Sequence, residues 1–304
     1  MAQRARMFGD WRKNYDLYLL SVPAFVYFIL FHYIPIYGVQ IAFKDFSAAL
    51  GISGSPWVGV EHFFRFFRSF YFTSLIQNTI GISLYSLAVG FPMPIILALL
   101  LNEVGAQRFK KSVQMATYAP HFISTVVMAG MLANFLAPDT GLVNILIKGL
   151  GGQPLAFLSK PEYFKTIYVV SGVWQEAGWA SIIYIAALSG IDPQLHEAAI
   201  IDGANKFQRI RHINIPGILP TAVIMLILNM GRIMNVGFEK IFLLQNPLNM
   251  SASDVISTFV YRTGVLNGEY GFSAAVGLFN SLINCTLLVL VNTFAKRMGQ
   301  TSLW

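Results

Sequence analysis

The sequence predicts an all-α integral membrane protein with six transmembrane helices. Hydrophobic residues make up 55% of the 304 residues and charged residues only 12%, whereas charged residues are about a quarter of a typical soluble domain. The mean hydropathy of the chain is +0.58. Six apolar segments reach the ~20 residues that a helix needs to cross a hydrocarbon core. A soluble fold of this size has no use for so much apolar surface.

The apolar segments alternate with polar connections along the whole chain. The predicted spans are 17–43, 73–101, 113–137, 164–190, 217–238 and 272–295. The first is longer than the ~7–15 apolar residues of a signal peptide, so we expect it to be retained. The third is the least apolar, because it contains Pro120, His121, Ser124 and Asn134. Prolines within spans indicate kinks, since neighbouring helices can satisfy the backbone groups that proline frees.

The distribution of Lys and Arg predicts the orientation. Both termini and the connections 102–112 and 191–216 together carry twelve Lys and Arg residues, and the opposite side carries eight. Basic residues concentrate on the cytoplasmic side of membrane proteins. We therefore expect both termini to be cytoplasmic, with 1–16 as a cytoplasmic segment, 17–304 as the six-span domain and 191–216 as a cytoplasmic loop within it.

Several function classes lose support from the sequence. The net charge of +7 is explained by basic residues that flank spans, so a nucleic-acid partner is not expected. The single cysteine, Cys285, excludes an intrachain disulfide. The five histidines do not have metal-ligand spacing with Cys or acidic residues, and we predict no metal site. The chain also lacks the G-x-x-x-x-G-K-[ST] phosphate loop, so we do not expect it to hydrolyse ATP.

Residues 191–216 carry a motif of fixed spacing. The positions are Glu197, Ala198, Ala199, Gly203, Ile213, Ile215 and Pro216. Asp192 precedes Pro193 and can cap a short helix. Gly203 permits a tight turn because it has no Cβ. Pro216 falls where the fifth span begins, a position that tolerates proline. The segment is therefore predicted to form a helix, a turn and a second helix.

This spacing resembles the EAA loop of ATP-binding-cassette (ABC) importer permeases, whose pattern is EAA-x3-G-x9-I-x-L-P. The one departure is Ile215, which stands where the pattern has Leu. The wider chain resembles the LplB-like permeases of polysaccharide and oligosaccharide importers. The matching stretches are FPMPIILALLLNE (91–103), YAPHFIS (118–124), GWASIIYIAAL (178–188), GFEKIFLLQNP (237–247), DVISTFVYRTG (254–264), AVGLFNSLIN (275–284) and SLW (302–304).

The resemblance implies a type I ABC importer permease fold in a bacterial cell membrane. It implies that 191–216, hereafter the coupling loop, docks into an ATPase subunit that binds ATP and Mg, so that this chain needs no cofactor of its own. The implied partners are a second, homologous permease, two ATPase subunits and an extracellular solute-binding lipoprotein. The implied cargo is a complex carbohydrate such as a pectin fragment or alginate, often acidic.

Seven side chains in three predicted spans are candidates to line a substrate pathway. At ~1.5 Å rise per residue, they fall in one layer from the bilayer midplane outward. They are Gln175, Glu176, Trp179, Asn229, Arg232, Asn280 and Asn284. Ionisable groups at such depth usually face a cavity or a partner, and aromatic rings beside amides suit sugars. The alternative for the amides is that they join helices by hydrogen bonds. Glu176 and Arg232 differ by ~9 Å in estimated depth, so we expect no direct ion pair.

Three further interpretations stay open from the sequence. The aromatic segment 57–72 reads as a helix at the outer membrane surface, with a binding-protein contact as the alternative. A secondary transporter would work without an ATPase, but the sequence shows no inverted repeat to favour it. An intramembrane enzyme would need a paired catalytic constellation, and the only hint is His121 beside Ser124 in one span.

Overall fold

The computed structural model describes residues 14–299 and 301–303. Most of the predicted cytoplasmic segment 1–16, with its basic residues, lies outside the described residues, as does Trp304. Within the described ranges the chain is helical, and the only β pairing is an isolated bridge between Lys44 and Trp57. The first principal helices are α1 (Tyr15–Phe43), α2 (Glu61–Phe67), α3 (Phe72–Gly90), α4 (Pro92–Glu103), α5 (Gln107–Tyr118), α6 (Thr125–Phe135) and α7 (Leu142–Gly149). They are followed by α8 (Pro161–Ser189), α9 (Pro193–Ile201), α10 (Lys206–Met230), α11 (Phe238–Leu244), α12 (Ile256–Val260) and α13 (Tyr270–Arg297).

Four helices of the described chain are long and apolar enough to cross a membrane, or five if one bent pair counts as a span. They are α1, the continuous pair α3 and α4, α10 and α13, and the bent pair is α5 with α6. The fourth predicted span corresponds to α8, which has 29 residues and is therefore ~44 Å long. It packs against α3, α4, α5 and α10, and its polar residues Ser171, Gln175 and Ser181 are buried against protein. The count of six stays a prediction that rests on α8 and the bent pair.

The third predicted span, 113–137, is not one straight helix. The chain bends by 101° between Phe122 and Thr125. A 3-10 turn at Ala119–Phe122 ends α5, with Pro120 inside it. The Oγ of Ser124 then accepts a hydrogen bond from the backbone N–H of Val127 and starts α6 as its N-cap. Two of the residues that made this segment the least apolar, Pro120 and Ser124, therefore lie at the break.

The C-terminal boundary predicted for the fifth span, 217–238, was wrong, because α10 stops at Met230. Residues 231–237 form turns and extended backbone before α11 begins. The backbone N–H of Met234 donates to Oδ1 of Asn284 at 2.9 Å rather than to a carbonyl of its own helix. Arg232 consequently lies in this connecting segment, which we call segment 231–237, and not within a transmembrane helix.

Side-chain packing holds the helices around three apolar clusters. One cluster joins α4, α8 and α10 near the coupling loop and contains Ala98, Leu99, Tyr184, Leu188 and Ile218. Small residues allow the helix backbones to approach closely. This is expected inside a membrane, because the hydrophobic effect does not drive helices together in lipid. At Gly178 of α8, an added Cβ would overlap the backbone carbonyl of Thr117 in α5. The bend between α5 and α6 is therefore held directly against α8.

The aromatic segment 57–72 is helical over α2, and its last residue, Phe72, begins α3. Its Phe66 is 1% exposed and belongs to an apolar cluster with Phe259 and Phe272. The pattern of aromatics did not show which ring faces inward, and the location of the segment at the outer membrane surface stays a prediction. Phe70, by contrast, is 92% exposed.

Candidate functional site

A cleft between the helices of the bundle is the candidate site. Its volume is about 670 Å³, within the ~300–1,000 Å³ range of small-molecule sites. The walls come from α3, the start of α4, the start of α6, α8, the end of α10, segment 231–237 and the start of α11. Its polar and charged lining residues are Ser83, Ser86, Thr125, Tyr168, Gln175, Glu176, Asn229, Arg232, Asn235, Glu239 and Lys240. We call this the central cleft.

Four of the seven predicted pathway residues line the central cleft, namely Gln175, Glu176, Asn229 and Arg232. Two of these side chains also form hydrogen bonds to backbone carbonyls that the sequence did not predict. The amide of Gln175 donates to the backbone carbonyl of Ile123 at 2.8 Å, inside the bend between α5 and α6. The amide of Asn229 donates to the carbonyl of Met225, one turn back in its own helix. That these residues contact a passing substrate remains a prediction.

Trp179 is not among the lining residues of the cleft and instead stacks on a histidine. Its ring lies parallel to that of His121, with centroids 4.6 Å apart and an interplanar angle of 2°. The Nδ1 atom of His121 lies 3.0 Å from Oε2 of Glu176. Glu176 thus pairs with His121, and the described structure records no ion pair between Glu176 and Arg232. His121 holds this carboxylate while Ser124 caps α6, so the two do not form a catalytic pair.

Asn280 and Asn284 also lie outside the lining of the cleft. Their amide groups both donate to Oδ1 of Asn235, at 2.8 Å and 3.0 Å. Asn284 additionally accepts from the backbone of Met234. This amide cluster, Asn235, Asn280 and Asn284, ties segment 231–237 to α13. The arrangement matches the helix-joining alternative for amides inside membranes, and it fixes the backbone that carries Arg232.

Lys240 is a cleft residue that sequence reasoning missed. Its side chain is only 8% exposed, and its Nζ donates to the backbone carbonyl of Tyr168 at 3.0 Å. The same Nζ lies 4.9 Å from the centroid of the Tyr168 ring. Burial lowers the pKa of Lys240 to about 8, and the nearby charge of Glu176 opposes that shift. The sequence contained one indication that Lys240 faces inward. Lys240 lies one turn before the apolar Leu244, and residues at this spacing share a face of a helix.

The coupling loop forms the helix, turn and second helix predicted for it. Oδ1 of Asp192 accepts from the backbone N–H of Gln194 at 2.9 Å and caps α9. Gly203 adopts φ +79°, a left-handed conformation that favours glycine. Asn205 and Gln208 then form a reciprocal capping box at the start of α10. The loop is therefore built from local signals that the sequence carries.

The predicted coupling residues are distributed over an exposed surface of this loop. Glu197, Ala198 and Gly203 are exposed, Ala199 and Ile213 are half-buried, and Pro216 is exposed at the base of α10. Two large apolar side chains beside them, Ile201 and Phe207, are 86% and 71% exposed. A surface with exposed apolar side chains in an otherwise polar loop is typical of a protein contact.

An apolar helix bundle around a polar cleft, with an exposed helical loop joining two of the cleft-lining helices, defines a membrane transport subunit. The chain belongs to the family of binding-protein-dependent transport system inner membrane components, which matches residues 90–300. It is therefore a multi-pass protein of an inner-membrane permease family. The predicted resemblance to ABC importer permeases is confirmed, and so is the type I importer permease fold.

Two curated relatives cover nearly the whole chain. The polygalacturonan/rhamnogalacturonan transport system permease protein YteP of Bacillus subtilis (strain 168) is 42% identical over 302 residues, which is 99% of this chain and 94% of the relative. Protein LplB of the same organism is 42% identical over 293 residues, covering 96% and 92% of the two chains. These relatives give no support to the secondary-transporter alternative.

Solved structures of a bacterial alginate importer share the fold. A chain of the ABC transporter involved in import of the acidic polysaccharide alginate superposes with a TM-score of 0.90 at 40% identity, covering 96% of this chain and 99% of that one. A second structure holds the alginate transporter in complex with a periplasmic protein bound to alginate pentasaccharide. Its matching chain has a TM-score of 0.91 at 39% identity, covering 98% of this chain and 100% of that one.

Proposed function

We propose that this chain is a permease subunit of an ATP-driven importer of acidic oligosaccharides or polysaccharides, and that the central cleft is its part of the translocation pathway. A second, homologous permease supplies the other half. Two ATPase subunits bind ATP and Mg on the cytoplasmic side, where both termini of this chain also lie. A solute-binding lipoprotein delivers the sugar from outside. The names of the relatives, polygalacturonan/rhamnogalacturonan and alginate importers, support an acidic cargo.

One observation carries the proposal. The coupling loop is covalently continuous with two helices that line the central cleft. α8 contributes Gln175 and Glu176 and ends at Ser189, directly before the loop. α10 begins inside the loop at Lys206 and reaches the cleft at Asn229. A displacement of the loop by an ATPase subunit would therefore move two walls of the cleft together.

α10 also contains a feature suited to such a movement. The stretch Ile210–Asn214 is a π-helical turn at the exit of the coupling loop. π turns inside α-helices are rare and are frequent at functional sites. The turn lies between the docking surface of the loop and the transmembrane part of α10, where a change of helical register transmits motion.

Uptake by proteoliposomes tests this function. The complete importer, with ATP inside the vesicles and the sugar-loaded binding protein outside, should accumulate a labelled uronic-acid oligosaccharide. Omission of either ATP or the binding protein should abolish accumulation. Uptake that proceeds without ATP, driven by an ion gradient, would instead identify a secondary transporter and overturn the proposal.

A further inference from the structure

The central cleft contains a buried cation, Lys240, that forms no ion pair with a carboxylate of the described residues. The Lys240 ammonium carries three N–H donors, and its one hydrogen bond goes to the backbone carbonyl of Tyr168. None of the ion pairs recorded for the described residues includes it. Burial of a charge is costly unless it is paired. A site that holds such a cation open to a cleft is suited to an anion that arrives from outside the chain.

A second cation, the exposed Arg232, lines the same cleft and also has no ion-pair partner among the described residues. The guanidinium of Arg232 forms no ion pair within the described residues. It is placed there by segment 231–237, whose backbone the amide cluster fixes to α13. A guanidinium offers planar, paired donors that match a carboxylate. The two cations therefore border one volume without neutralisation by direct partners.

The carboxylates of the cleft do not cancel these charges by contact. The Oε2 atom of Glu176 lies 3.0 Å from Nδ1 of His121 and is engaged in that contact. Glu239 also lines the cleft, but it is exposed and forms no ion pair with Lys240 or Arg232 in the described structure. The hydrogen bond from His121 orients one oxygen of Glu176 away from direct contact with Lys240 or Arg232, while the negative charge of Glu176 still acts on Lys240 at a distance.

We infer that Lys240 and Arg232 form a binding site for the carboxylate of a uronic-acid residue inside the central cleft, with Lys240 as the residue that selects charged over neutral sugar. This inference rests on the proposed function and names the chemistry its cleft recognises. Lys240 suits this role because α8 holds its ammonium at the wall of the cleft. Its Nζ donates to the backbone carbonyl of Tyr168 and lies 4.9 Å from the centroid of the Tyr168 ring, beside Gly172.

Direct binding to the assembled importer tests the inference separately from transport. Complexes in nanodiscs, without nucleotide and without binding protein, are titrated with trigalacturonate and with its carboxyl-reduced, neutral trimer. The Lys240→Met variant keeps the length of the side chain and removes its charge. It should bind trigalacturonate at least about tenfold more weakly, as expected for the loss of a charged hydrogen bond, and bind the neutral trimer as the wild type does. Lys148→Met, an exposed lysine of α7 outside the cleft, is the matched control and should change neither affinity.

The pH dependence of the same titration provides a second measurement. Lys240 is cationic below its pKa of about 8, so wild-type affinity for trigalacturonate should fall between pH 7 and pH 9. The other charged or titratable groups at this face are Glu176, Glu239, Arg232, His121 and Tyr168. Any contribution from them persists in Lys240→Met, so the step near pH 8 should vanish in that variant.

The outcomes separate the inference from the proposed function. Equal weakening of both trimers by Lys240→Met would show that Lys240 only supports the packing of α8 and α11, and would overturn the inference. The absence of trigalacturonate binding to the wild type, or a pH profile unchanged in the variant, would overturn it as well. ATP-dependent uptake in proteoliposomes would survive each of these results. Loss of that uptake in the wild type would instead reject the proposed function.

Discussion

The carboxylate of Glu103 lies 3.8 Å from the guanidinium of Arg209, and this pair joins the end of α4 to the second helix of the coupling loop. Asn214 supports the joint, since its amide lies 3.5 Å from the other carboxylate oxygen of Glu103. Both contacts are long for charged groups. The Nε of Arg209 and Oδ1 of Asn214 are buried without partners in the described structure. Because these atoms have no hydrogen-bond partners, a movement of the loop can shorten the contacts of Arg209 and Asn214 with Glu103.

The first prediction concerns this joint. Glu103→Arg should leave basal ATPase activity of the complex nearly unchanged and reduce its stimulation by sugar-loaded binding protein severalfold, because the coupling loop loses its anchor on α4. The double variant Glu103→Arg with Arg209→Glu restores opposite charges and should recover much of the stimulation. Stimulation at the wild-type level in Glu103→Arg alone would show that the pair does not transmit loop movement.

The second prediction concerns the turn of the coupling loop. Gly203→Val should uncouple transport from ATP hydrolysis, since φ of +79° costs a β-branched residue about 1–2 kcal/mol or more. Glu197→Lys should act similarly by reversing a charge on the docking surface. Gly105→Val is the matched control, because Gly105 has open space around its Cβ position and no positive φ. Transport rates and ATPase stimulation in purified complexes measure the effect, and wild-type values in both loop variants would reject the loop assignment.

The third prediction concerns topology. In a Cys285→Ala background, Lys206→Cys should resist an impermeant thiol reagent added outside intact spheroplasts, and Leu248→Cys should react. Leu248 is suitable because it is 67% exposed, whereas its neighbour Asn249 is fully buried. Faster labelling at position 206 than at 248 would invert the orientation and remove the proposed ATPase contact.

The fourth prediction concerns the amide cluster. Asn284→Leu removes the acceptor for the Met234 N–H and one donor to Asn235, so segment 231–237 should lose its fixed position. We expect a higher KM for an acidic oligosaccharide, with basal ATPase activity and assembly retained. Arg232→Gln should raise KM in the same direction by removing the charge itself. If Asn284→Leu lowers only the yield of assembled complex, the cluster is structural and does not position Arg232.

The features that the sequence predicted well depend on neighbours in the chain. The cap at Asp192 and the turn at Gly203 each arise within a few residues, so motif and propensity indicate them. The length of the apolar segments likewise predicted the long apolar helices, because this signal does not depend on a contact with a distant residue.

The features that the sequence missed depend on contacts between distant segments. α10 ends at Met230 because Asn284, 54 positions later, takes over a backbone hydrogen bond. Lys240 faces the cleft because α11 turns back onto Tyr168, and a depth scale based on straight spans placed it in an outer connection. Trp179 stacks on His121 for the same reason, since a bend of 101° brings the ring there.

The bend between α5 and α6 has a consequence for how the protein is made. Its polar groups are satisfied by α8, through Gln175 on the Ile123 carbonyl and Glu176 on His121. Synthesis proceeds from the N-terminus, so the bent segment leaves the ribosome well before α8 exists. Neither element is a strongly apolar span by itself. We therefore expect the bent segment to enter the bilayer stably only together with α8, as one unit.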